Sequence, residues 1–129
     1  MTTRHVLIAD DEANIVISLE FLMKREGHRV SIARDGDAAL AAIRTERPDL
    51  VLLDVMMPGK SGFEVCQAVR ADEALAGVKI LMLSAKGRET DLAKGNALGA
   101  DAYMTKPFST RELADKVREM LGPANAIGP

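Results

Sequence analysis

Short apolar runs alternating with segments of helical period leave a chain few folds to choose from. Four such runs recur here: Val6–Ala9, Leu50–Leu53, Val78–Leu83 and Ala102–Thr105. Each is short, mostly apolar and bounded by turn chemistry, the pattern of a strand buried on both faces. Strands separated by helices repeat the βαβ unit, and a crossover of that length makes neighbouring strands run parallel. The expected fold is therefore α/β, a doubly wound parallel sheet whose ligands bind beyond the carboxyl ends of the strands. At or just past those ends stand Asp10 and Asp11, Asp54, Ser84 and Lys106. All can handle a metal ion or a phosphate.

The segments between the runs fit this scheme. Ile15, Leu19, Leu22 and Met23 recur at helical spacing before Gly27 stops the helix. Arg29–Ala33 reads as an edge strand because polar residues alternate with Val30 and Ile32. Asp35-Gly36 turns into an alanine-rich helix with Leu40 and Ile43 on its buried stripe, closed by Pro48. A third helix begins near Phe63, with Cys66 and Val69 inward. A fourth runs from about Arg88 to Leu98, and Lys94, Gly95 and Asn96 dilute its apolar stripe, so it should be the least firmly held. Ser109 and Glu112 form a capping box for a last helix that buries Leu113, Val117, Met120 and Leu121.

Bulk properties narrow the function. A chain of 129 residues suits one domain, expected over residues 1–121 with a short tail over 122–129. A net charge of −2 provides no basic stripe for a nucleic-acid backbone or an anionic membrane. The one cysteine, Cys66, cannot form an internal disulfide and reads as a buried, inert thiol. Met1–His5 is too short for a signal peptide or a membrane span, and the expected location is cytoplasmic. His5 and His28 lack ligand-spaced partners and are expected in surface or capping roles; Asp101 and Arg111 read as solvated or locally paired.

Taken singly, the reactive residues have plainer explanations. Asp10 and Asp11 suit a helix cap, Asp54 a turn before Pro58, and Ser84 an ordinary strand end. Their joint placement at converging strand ends favours a site. Three neighbouring carboxylates repel one another, and a hard divalent cation with oxygen ligands relieves that repulsion; Mg²⁺ suits carboxylates combined with phosphate oxygens and water. Asp11 and Asp54 are expected as direct ligands, with Asp10 acting through water. Lys106 supplies a mobile positive charge and Ser84 a hydroxyl donor. An aspartate nucleophile, a metal and these two partners describe phosphoryl transfer to a carboxylate, leaving an acyl phosphate on Asp54.

Asp10-Asp11, Asp54-Val55-Met56-Met57-Pro58-Gly59, Ser84-Ala85, Gly99-Ala100-Asp101 and Lys106-Pro107-Phe108 resemble, in that order and spacing, the receiver domains of two-component response regulators. The resemblance covers about residues 5–121. It implies a (βα)₅ fold of flavodoxin-like strand order 2-1-3-4-5, the order known from chemotaxis receivers. It further implies Asp54 as phosphoacceptor, Asp10 and Asp11 as the acidic metal pair, and Met56 as a backbone carbonyl ligand of Mg²⁺. By the same resemblance Lys106 binds the phosphate, Ser84 is the switch hydroxyl, Tyr103 the switch aromatic, and the bond before Pro107 is cis. The implied partners are a histidine kinase or histidine phosphotransfer protein and an output partner that the sequence leaves unnamed. The implied role is a switch that modifies only itself, without turnover of a separate substrate. Phosphorylation would draw Ser84 inward, admit Tyr103 and shift the face made by the fourth helix, the fifth strand and the last helix.

Two other readings use similar parts. An aspartate-nucleophile phosphohydrolase needs a second aspartate two positions after the first, where this chain has Met56. A stand-alone docking module of the same fold would not need the full set of pocket residues.

Overall fold

The computed structural model describes residues 4–85, 94 and 97–122. Its elements alternate: β1 (His5–Ala9), α1 (Ala13–Arg25), β2 (Arg29–Ala33), α2 (Gly36–Glu46), β3 (Leu50–Asp54) and α3 (Gly62–Arg70). A 3₁₀ turn (Glu73–Leu75), β4 (Lys79–Ala85), β5 (Ala102–Lys106) and a last helix (Thr110–Leu121) follow. The strands form one parallel sheet in the order β2-β1-β3-β4-β5. The expected doubly wound architecture is present. The fourth helix expected from about Arg88 to Leu98 lies mostly outside the described residues; of those described in that stretch, Lys94, Ala97 and Leu98 are helical.

The apolar stretches of the inner strands are covered by helices on both faces of the sheet. Because successive strand residues face opposite ways, Leu7, Val51, Leu53, Ile80 and Met82 enter one core with Ile43, Val65, Cys66 and Val69 from α2 and α3. Val6, Ile8, Leu50, Leu52, Leu81 and Leu83 enter the other, with Val16, Leu19, Leu113 and Val117 from α1 and the last helix. Burying each such aliphatic side chain contributes about 1.5–3 kcal/mol against exposure. β2 lies at one edge of the sheet, where Arg29 and Ile32 are exposed.

Local chemistry starts three of the helices, at Asp35 and Ser109 as the sequence predicts and at Ser61 in addition. Asp35 accepts a hydrogen bond from the Ala38 N–H, and Ser61 with Glu64, like Ser109 with Glu112, closes a capping box. Tertiary pairing moved several boundaries. β3, β4 and β5 extend to Asp54, Ala85 and Lys106, since Asp54 pairs with Leu83 and Ala85 with Lys106 across the ladders. The 3₁₀ turn was not anticipated; it buries Leu75 in the α2–α3 core.

Two residues expected at the surface are structural. His5 joins β1 and is buried, its Nε2 2.8 Å from the Ser31 hydroxyl and 3.1 Å from the Glu46 carboxylate. The covering comes from β2 and α2, which its own neighbours in sequence do not reveal. Asp101 is not locally paired. It accepts from the Ile80 N–H and binds Arg70, whose guanidinium also donates to the carbonyls of Val78 and Gly99. Arg70 thereby ties the end of α3 to the starts of β4 and β5.

Candidate functional site

The chain runs from β1 outward to β2, then returns to place β3 on the other side of β1. The crevice at this reversal of strand order is where such sheets bind ligands. Asp10 directly follows β1 and Asp54 closes β3, so backbone pairing alone brings the two carboxylates to one edge. Asp10 is fully buried, and Asp54 and Ser84 are 5% and 1% exposed.

Lys106, the last residue of β5, reaches into this crevice across the β4 end. Its Nζ lies 3.0 Å from Asp10 Oδ2, 2.8 Å from Glu12 Oε1 and 3.4 Å from Asp54 Oδ1. Carboxylate oxygens of Asp10, Glu12 and Asp54 lie within 4.8 Å of one another, so three acids share one ammonium. Burial and the adjacent Asp10 charge push the Asp54 carboxyl up to about 7, against the opposing pull of Lys106 and a hydrogen bond from the Met56 backbone. For Lys106, burial disfavours the charge, but its hydrogen bonds to Glu12 and Asp10 outweigh that and hold it above the ordinary lysine value. The ammonium is a permanent cation at neutral pH.

The loop after β3 is held by its backbone. Val55 N–H donates to Leu83 O, Gly62 N–H to Val55 O, and Gly36 N–H to Pro58 O. Gly62 is required there because a β-carbon would collide with the Asp54 carbonyl. Met56 is 60% exposed, and its backbone beside Asp54 is the part that meets the site. The Lys106-Pro107 bond is cis, as the resemblance implies. Tyr103 is half-buried and packs against the α2–α3 core, opposite Met82 in the β4–β5 register.

Asp10, Asp54, Ser84 and Lys106 thus all stand at the carboxyl ends of the sheet. Asp11 is exposed and lies outside the gathered acids, whereas Glu12 belongs to them. Sequence reasoning gave Glu12 no role. Its signal was present in the third consecutive acid of Asp10-Asp11-Glu12, but only the fold shows which of the three turn inward. The donor set fits a hard divalent cation: clustered carboxylate oxygens carry more negative charge than the lysine balances.

Fold and site define an α/β domain that offers a buried aspartate to a lysine at the switch point of its sheet. The sequence matches the response regulator receiver domain over residues 6–118, and the chain belongs to that family of two-component signalling domains. Solved structures agree. A putative response regulator from Chloroflexus aurantiacus is 33% identical with a TM-score of 0.88, over 93% of this chain and 98% of that one. The chemotaxis response regulator CheY4 of Vibrio cholerae is 32% identical with a TM-score of 0.87, over 93% of this chain and all of that one (100%). NtrX from Brucella abortus is 28% identical with a TM-score of 0.83, over 93% of this chain and 27% of that longer one. Among the described residues, no helix is long and apolar enough to cross a membrane.

Proposed function

We propose that this receiver is a phosphoacceptor switch: an Asp54 carboxylate oxygen attacks the phosphorus of a phosphohistidine on a histidine kinase or histidine phosphotransfer protein. The phosphorus–nitrogen bond breaks, a phosphorus–oxygen bond forms, and the donor imidazole leaves. The observation that carries this reading is the approach of the Lys106 ammonium to within 3.4 Å of Asp54, a carboxylate buried at the sheet's switch point. Asp10, Asp54 and the Met56 backbone carbonyl are the groups present to hold Mg²⁺, with Asp11 at the rim and Glu12 engaged by Lys106. Bound there, the ion would supply charge neutralisation between the carboxylates and an incoming phosphoryl group.

The protein's own residues do the rest. Asp54 is the nucleophile, Lys106 offers its ammonium to a phosphoryl oxygen, and Ser84, buried at the end of β4, is placed to donate its hydroxyl to the same group. Phosphorylation adds close to two negative charges at a site already rich in acid, which draws Ser84 and Lys106 inward and lets Tyr103 follow. The protein acts on itself, with no separate substrate turned over, and signals from the cytoplasm through the face containing β5 and the last helix.

Incubation with acetyl phosphate, with and without Mg²⁺, followed by intact mass tests the reading. The expected result is one metal-dependent phosphoryl adduct, lost in Asp54→Asn. An adduct that persists in that variant moves the nucleophile elsewhere.

A further inference from the structure

Lys106 is held more closely by its neighbours than by the aspartate it serves. Its hydrogen bonds run to Asp10 at 3.0 Å and Glu12 at 2.8 Å, while Asp54 is met only at 3.4 Å. Glu12 can reach the lysine because no cap occupies it. It stands at the N-cap of α1 yet makes no side-chain capping bond, and the Asp10 side chain accepts from the Glu12 N–H instead. Its side chain is 58% exposed, so water can take back the carboxylate once the lysine leaves. Asp10, with no exposure, has no such exchange open to it.

We infer that Glu12 is a latch for Lys106, holding the ammonium back from Asp54 in the resting protein and yielding it when a phosphoryl group arrives. This rests on the phosphoacceptor reading and names a residue that regulates the same site. Glu12 is a positioning residue; it acts through the lysine. Breaking the latch removes a competitor for the ammonium, so phosphorylation becomes easier. The pair is part-exposed, which limits the effect to about threefold.

Three measurements test it together. Wild type, Glu12→Gln and Glu12→Asp are phosphorylated by acetyl phosphate in Mg²⁺ and followed by intact mass; the aspartate keeps the charge but is one methylene too short to reach Lys106. The affinity of each protein for beryllium fluoride, a phosphoryl mimic, is read from amide chemical shifts. A double-mutant cycle pairing Glu12→Gln with Lys106→Met in urea, under chelator, reads the latch without any reaction. Both Glu12 variants should accept phosphate about threefold faster and bind beryllium fluoride about threefold more tightly, and the cycle should show coupling of about threefold in the unfolding constant. Wild-type behaviour in Glu12→Asp with acceleration only in Glu12→Gln would mean simple charge repulsion and overturn the latch, as would a cycle without coupling. Absence of any Asp54 adduct in wild type would bring down the phosphoacceptor reading and the latch with it. A normal wild-type adduct with unchanged variants would remove the latch alone.

Discussion

Replacing Asp54 by Asn should make the metal-free protein more stable at neutral pH. The Asp54 carboxyl titrates near 7 in the folded chain against 3.8 as its ordinary value, because burial and the Asp10 charge both disfavour the anion. Between those values the native state binds more protons than the unfolded one, so stability falls as pH rises, and the penalty is complete above the folded pKa. Integrating across the window gives a ceiling of about 4 kcal/mol at pH 7, at roughly 1.4 kcal/mol per pKa unit. The attraction of Lys106 is already contained in this net shift, and relaxation of the site offsets part of the remainder. The expected gain is about 2 kcal/mol, or ~6 °C in Tm for a domain of this size. Urea unfolding in chelator at pH 7.5 and pH 5 measures it directly, and the gain at pH 5 should be less than about half that at pH 7.5. Equal or lower stability of Asp54→Asn at pH 7.5, or a gain independent of pH, would refute the claim that folding forces these acids together at a cost.

Two further outcomes test the frame around the site. Leu52 lies fully buried in β3, between β1 and β4, and Leu52→Ala should cost about 3 kcal/mol in urea at unchanged m-value; a loss under about 1 kcal/mol would mean the sheet is not packed on both faces. Cys66 is fully buried and burial raises its thiol pKa, so a thiol reagent at pH 7.5 should label it at least ~100-fold more slowly in the native protein than in urea, and comparable rates would contradict the α3 packing.

Much of the architecture is legible from local pattern. The apolar runs at Val6–Ala9 and Leu50–Leu53 leave no face that tolerates water, so helices must cover both sides. Ser109 with Glu112, and Asp35 before Gly36, start their helices through bonds that span at most three residues. The strand order came from family resemblance, and the β-ladders bear it out. Periodicity alone does not order strands.

What the sequence determined by itself is the alternation of strand and helix, the helix caps, and the placing of acid, hydroxyl and lysine at strand ends. Only the tertiary structure decided which acids face one another: Glu12 turns to Lys106, 94 residues away, while Asp11 stays in solvent. It likewise buried His5 against Ser31 and Glu46 and joined Arg70 to Asp101. Secondary structure depends on neighbours a few residues apart and is written into periodicity. The surroundings of a polar side chain depend on segments that meet only when the sheet closes.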